Sequence, residues 1–293
     1  MTSAGAQLFR CIQFEFPWQL GPEPGRYVVR EPHAEEASHV LVIATLGAPE
    51  RRRLAKRRAR AVAADVGSQP AAVATTRATV IPADALVDEA AARAWLATAQ
   101  RDEHVDDELD RALAVLARAV HAHRLATADP GVPEPRREQA LVVRLGYGSG
   151  DQVADGRHTE MVELPPPSPN RQRRVHALRP QERLAAVLGG RQQLLACEEL
   201  TLRARADLDA GRARQAALQL RVAFEAALAE LDGSVAAARL AELRTRREAV
   251  GAAANAALTG ELDAVTAAEL SDTLERVEAA LRARSAGTER AGD

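Results

Sequence analysis

The densest run of chemistry-bearing side chains is ERRRLAKRRAR. Its Arg51, Arg52, Arg53, Lys56, Arg57, Arg58 and Arg60 place seven positive charges in eleven residues. On a helix they would cover most of the surface and leave Leu54, Ala61 and Val62 to face a sheet. Such a helix could bind anions: several phosphates of a nucleic acid, or an acidic protein partner. No aromatic residue interleaves with the arginines, so nucleic-acid bases would find no stacking platform. A solvated helix face is the simpler reading, since charge runs usually are one. Arg171, Arg173 and Arg174 add a smaller basic patch beside a proline-rich stretch.

Gly146-Tyr147-Gly148-Ser149-Gly150-Asp151 follows an apolar strand and is the one candidate ligand loop. A phosphate cradle would aim backbone N–H groups at an anion and lead into a helix. Here the tight-turn dipeptide Asp155-Gly156 and another strand are expected to follow, and neither GK[ST] nor GxGxxG is present. A bulged β-hairpin accounts for these glycines. His33, Glu35, Glu36 and His39 gather metal-binding side chain types, but on an expected loop and at no zinc-protease spacing, so no metal is assigned. His121 and His123 stand two apart on a helix and point in different directions. His123, beside Leu116 and Val120, is expected to be a core or boundary histidine, and Cys197, beside Leu194 and Leu195, a packing residue. The chain lacks GxSxG, HExxH, Walker A and catalytic-cysteine motifs. No catalytic residue, metal or cofactor is assigned.

Composition bounds the setting in which these residues act. The 293 residues are 46% hydrophobic but only 3% aromatic, so the core must be built mostly from Leu, Val and Ala. The net charge of −2, from 39 basic and 41 acidic residues, favours neither a nucleic-acid nor a membrane partner. Lys56 is the only lysine, and with the abundance of Ala this reads as the coding bias of a GC-rich genome. Two isolated cysteines, Cys11 and Cys197, suggest reduced thiols in a cytoplasm. Neither a secretion signal nor a membrane span is expected.

The elements that must position the candidates follow from periodicity. Leu8–Phe16 alternates, with Ile12, Phe14 and Phe16 on a buried face and Gln13 and Glu15 on a wet one. Tyr27-Val28-Val29 is a short strand, and Val40–Ala44 a central strand buried on both faces. After the basic helix, which is expected to end near Asp65, Thr75–Ile81 returns to strand. Asp84 is expected to cap a helix carrying Val87, Ala91, Ala94 and Trp95. From about Glu103 to Ala128, Val105, Leu109, Leu113, Leu116 and Val120 form one helical stripe. Leu141–Tyr147 and Met161–Leu164 are expected to pair. The order β-β-β-α-β-α-α-β-β points to an α+β domain over 1–164, with a mixed or antiparallel sheet and helices on one side.

Pro165-Pro166-Pro167-Ser168-Pro169 opens a Pro/Arg-rich linker over 165–175. Residues 176–284 read as an all-α helical bundle, and 285–293 as a disordered tail. The expected helices begin at Pro180, hold Leu194 to Leu202 and then Leu218 to Leu231, cover Val235 to Leu258 unbroken, and restart near a Thr266/Glu269 capping box. Within them ACEELTLRARADLDAGRARQAALQLRVAFEAALAEL, a helix hairpin of small residues about a central glycine, resembles a tetratricopeptide-type unit. The resemblance covers one unit, with no second copy at a 34-residue period, and carries no function with it.

These observations order three functional readings. The first is a non-catalytic protein-interaction or adaptor module of a bacterial cytoplasm, contacting another protein or itself through the C-terminal helices. The second is a nucleic-acid-associated regulator using the basic helix 50–60. The third is an enzyme with a pocket near the Gly-rich strand 146–151, by Tyr147 and Asp151.

Overall fold

The computed structural model describes residues 7–31, 34–47, 75–165 and 180–290. The basic run Arg51–Arg60 and nearly all of the Pro/Arg-rich linker lie outside the described residues. The chain divides into two compact units, Met1–Ser168 and Pro169–Asp293.

The first unit is a six-stranded, wholly antiparallel sheet in the order β2-β3-β4-β1-β5-β6. Its strands are β1 (Leu8–Phe16), β2 (Gly25–Val29), β3 (His39–Leu46), β4 (Thr75–Pro82), β5 (Val142–Ser149) and β6 (Glu160–Glu163). Alternation sends Ile12, Phe14 and Phe16 of β1, Ala78 and Val80 of β4, and Val143, Leu145 and Tyr147 of β5 to one face. There they meet two helices, α1 (Glu89–Ala99) and α2 (Asp102–Thr127). Each large side chain buried there contributes about 1.5–3 kcal/mol. The α2 stripe lies where its spacing put it, with Leu109, Leu116 and Val120 fully buried.

Several local expectations shift. Asp88, not Asp84, caps α1 by accepting a hydrogen bond from Ala91 N at 2.7 Å. Asp84 instead pairs with Arg10, and Val87 is 93% exposed ahead of the helix. The face of β1 expected to be wet is not. Gln13 is 2% exposed and donates to Thr79 Oγ1, while Arg77 and Arg144 both donate to Glu15. Val40–Ala44 lies one strand in from the edge, and its Val40 and Val42 are only partly buried.

The β5–β6 pair forms, but not through a tight turn. Residues after Ser149 make a one-turn helix, α3 (Gly150–Ala154), and the segment folds beneath the second face of the sheet. Val153 packs with Cys11 of β1 and Ile81 of β4. Asp155 accepts a hydrogen bond from Arg26 of β2 at 2.5 Å. This excursion gives the sheet a second, smaller apolar layer.

The second unit is helical among the described residues: α4 (Pro180–Leu188), α5 (Ala196–Asp209), α6 (Ala213–Glu230), α7 (Ala237–Thr245), α8 (Arg247–Thr259) and α9 (Ala264–Arg290). Short turns at Gly211 and Gly233 join successive helices. Phe224, Leu220, Leu243, Leu274 and many alanines make one core. Leu184 and Leu188 lie on α4 and are 49% and 79% exposed, while Leu194, expected on the next helix, lies ahead of it and is 68% exposed. The expected helix from Val235 to Leu258 is two helices broken at Arg246, whose guanidinium reaches Asp272 of α9 at 2.6 Å. The start of α9 is capped by Asp263, which accepts from Thr266 N, rather than by the Thr266/Glu269 box. That helix continues to Arg290, past the end expected near Arg284.

Candidate functional site: a groove between an edge strand and a helix

The two main helices do not cover the whole sheet. Among the described residues β2 is an edge strand with no further strand beside it, and between it and α2 lies an open groove of about 570 Å³. Its floor is the strand at Tyr27–Val29, with Tyr27 and Val29 on the α2 side and Val28, opposite Val40, turned to the second face; its wall is Ala119, Ala122 and Ala126 of α2. Tyr27 and Val28 are 37% and 56% exposed. Small alanines on this side of α2 give the groove its width, and the short β2 run of Tyr and Val gives it an apolar floor.

Two contacts hold the groove open at fixed spacing. Just beyond β2, the Glu31 carboxylate accepts two hydrogen bonds from Arg118, at 2.7 and 3.1 Å. The guanidinium holds the Glu31 carboxyl below its ordinary range, chiefly through these hydrogen bonds. Just before β2, Gly21 takes a φ of +104° against the ring of His123, and a Cβ there would stand 2.6 Å from that ring. Only glycine combines that backbone angle with that approach. His123 therefore lies at the boundary as its position implied, lining the groove further along α2 than Arg118. Arg118 beside the end of β2 and His123 beside its start mean that β2 and α2 run antiparallel along the groove.

Charge sits at the two ends. Glu23 lines the groove before β2 and Arg30 after it. Tyr27 Oη donates to the Glu23 carbonyl at 2.6 Å, and Glu23 is exposed. Arg30 Nε donates to the Glu35 carbonyl at 3.0 Å, and Arg30 is exposed. Among the described residues, neither the Glu23 carboxylate nor the terminal nitrogens of Arg30 have a partner. An exposed strand edge with an apolar floor and opposite charges at its ends can take up another extended chain. Main-chain hydrogen bonds supply affinity in such pairing, and alternate side chains supply selectivity.

The residues singled out by sequence lie elsewhere. The Gly-rich stretch is explained by close packing. A Cβ on Gly146 would stand 2.6 Å from the Glu160 carbonyl, and one on Gly148 would stand 3.1 Å from Val153. The glycines admit β6 and the α3 segment rather than an anion. Tyr147 is 1% exposed and donates to Glu160 at 3.0 Å, so its hydroxyl is committed to holding β6. Of the His33–His39 cluster, His33 is outside the described residues. Glu31, just upstream, is spent on Arg118, and His39 is bonded to Ser38. Among the described residues no group of three His, Cys, Asp or Glu side chains is placed to hold a metal ion, and no helix is long and apolar enough to cross a membrane.

Sequence reasoning passed over one pairing and the groove itself. The Cys11 thiol lies 3.8 Å from His158 Nδ1, but burial pushes its pKa up to about 12. Desolvation also lowers the His158 pKa. A neutral thiol beside a neutral imidazole is a packing contact, not an activated nucleophile. Cys197 is likewise fully buried and pushed up to about 12 by desolvation. The groove had one faint sign in the sequence, a β-rich triplet too short to be a central strand, preceded by prolines. No family model, no curated protein and no solved structure matches this chain.

Proposed function

We propose that the protein is a non-catalytic protein-interaction module whose N-terminal unit receives an extended polypeptide strand on the β2 edge, in the groove against α2. One observation carries this reading: an edge strand with Tyr27 exposed lies beside an alanine-walled groove of about 570 Å³. Folded proteins usually blunt such edges or cover them. Here Arg26, the charge inside the strand, is drawn to the second face by Asp155, so it does not guard the edge. The reading is tested by selecting displayed random peptides on the full chain and mapping their footprint by amide hydrogen exchange. Protection confined to Gly25–Val29 and the Ala119–Ala126 side of α2 supports it. Selected peptides whose footprint lies elsewhere would refute it.

A further inference from the structure

The Glu31 carboxylate, tied to Arg118 at one end of the groove, has a second donor. Ser38 Oγ stands 3.3 Å from Glu31 Oε1, the oxygen that also accepts Arg118 Nη2 at 3.1 Å, while Oε2 accepts Arg118 Nη1 at 2.7 Å. The same hydroxyl stands 3.2 Å from the Val29 carbonyl and 3.1 Å from His39 Nδ1. A serine hydroxyl has one proton and two lone pairs. The carboxylate and the carbonyl can only accept, so the proton goes to one of them. His39 Nδ1 is then the donor, which puts the neutral ring's proton on Nδ1 and makes Nε2 the atom that can take another.

Two acceptors at nearly equal distance make the hydroxyl a two-position element. The backbone under it is fixed: Ser38 N donates to Val29 O at 2.9 Å, and Ser38 O accepts from Ala83 N at 2.9 Å. Val29 O is therefore satisfied without the hydroxyl. We propose that Ser38 and His39 form a proton-operated switch on the Glu31–Arg118 clamp. A proton taken up from water at His39 Nε2 turns the Ser38 hydroxyl from Val29 O to Glu31 Oε1, displaces Arg118 Nη2, and leaves the clamp with one hydrogen bond instead of two. Arg118 lines the groove, so the clamp loosens that end of it. This consequence for binding rests on the strand-addition reading; the switch itself belongs to the free chain.

The charges around the ring set the direction. His39 opens β3 opposite Val29 and Pro82, and is partly exposed. Four charged groups act on it: Glu31 after β2, Arg118 on α2, Asp84 after β4 and Arg10 on β1. They form two ion pairs, so the neutral ring sits between balanced charges. A charge on the ring strengthens the Nδ1–H bond to Ser38, attracts Glu31 and repels Arg118. The clamp is exposed and weak, so a small bias is enough to open it. Burial, the largest influence, holds the His39 pKa below its ordinary value of 6.5. The Glu31 pKa is lowered as well, so Glu31 is still ionised when His39 takes its proton.

The experiment is an NMR titration of the full chain from about pH 8 to pH 4. Its probes are the His39 ring nitrogens, the Glu31 carboxyl carbon and the Arg118 Nε–H. Above the His39 midpoint the ring is expected to carry its proton on Nδ1. Through that midpoint the Glu31 signal should take a step separate from its own titration at lower pH, and the Arg118 Nε–H order parameter should fall. His39→Asn keeps an N–H donor for Ser38 without a titrating ring, and should lose both changes. A neutral ring protonated on Nε2, Glu31 and Arg118 signals that do not follow His39, or changes that survive His39→Asn overturn the proposal. The first two outcomes are read on wild type and need no variant to fold. Peptides selected on the groove keep the two readings apart. Their dissociation constant is expected to change roughly twofold across the His39 midpoint in wild type and not in His39→Asn. A constant that does not change overturns the switch's hold on the groove and leaves strand addition standing. Peptides bound elsewhere remove strand addition and leave the switch to be decided by the titration.

Discussion

Glu31 and Arg118 meet through two hydrogen bonds, one to each carboxylate oxygen, and so tie the segment after β2 to the middle of α2. The pair bridges two elements far apart in sequence and sits at one end of the groove. It therefore acts on the spacing of the groove more than on the stability of the fold. Both side chains are well exposed, at 54% and 39%, so removing the pair should cost only about 0.5 kcal/mol. Arg118→Ala is expected to leave the thermal midpoint nearly unchanged while raising hydrogen exchange at Val28 and Val29. Because the Glu31 pKa is lowered by folding, its contribution is present above the ordinary carboxylate range and disappears as pH falls through the lowered value. Carboxyl NMR titration of Glu31 in wild type and Arg118→Ala would show the shift and its loss.

Gly146 and Gly251 should respond to alanine in opposite directions. A Cβ at Gly146 would collide with the backbone carbonyl of Glu160, so Gly146→Ala must push β6 off β5. A cost of about 1–3 kcal/mol is expected from such overpacking. Gly251 lies inside α8 with nothing within 4 Å of the added carbon. There alanine removes backbone freedom from the unfolded chain and should stabilise by about 0.5–1 kcal/mol. Urea denaturation of the two variants reads both signs.

Glu198 is the most committed carboxylate of the helical unit. It accepts from Arg183 and Arg284 and from the Leu195 backbone N–H at 3.1 Å, while only 9% exposed. Glu198→Ala would leave two guanidinium groups facing each other and one helix end uncapped. A loss of about 3 kcal/mol is expected, as for breaking buried pairs. The neighbouring Glu199 makes only an exposed pair with Arg203 along the same helix, and Glu199→Ala should cost under about 0.5 kcal/mol. Chemical denaturation of the two variants compares them directly.

Both thiols should be silent in the native protein. Burial raises Cys11 and Cys197 from 9.0 to about 12, so neither forms thiolate near neutral pH. A thiol-disulfide reagent at pH 8 is expected to label neither cysteine until denaturant is added. The sign of the stability effect follows. The unfolded chain ionises near 9.0 while the folded one stays protonated, so stability is intact below that pH and falls as pH climbs toward about 12. Denaturant midpoints at pH 8 and pH 10 should differ in that direction.

What the sequence determined by itself is local. The stripe from Val105 to Val120 specifies α2 because side chains at helical spacing share one face whatever they meet. The alternation of Ile12, Phe14 and Phe16 specifies β1 for the same reason at period two. It also told an α+β unit from a helical one. What only tertiary structure decided is every relation between distant residues. Whether Gln13 is wet depends on Thr79 and Arg144 coming beside it. The break at Arg246 has no proline or glycine to announce it and coincides with a contact to Asp272 on another helix. The glycines after Leu145 look like a loop for a ligand until the α3 segment is seen folded against them. The groove is the clearest case, because neither Tyr27 nor Ala122 is unusual in its own neighbourhood. Short-range periodicity encodes which face a side chain occupies, but which two faces meet, and which edge stays bare, is settled only when the whole sheet and its two helices compete for the same apolar surface.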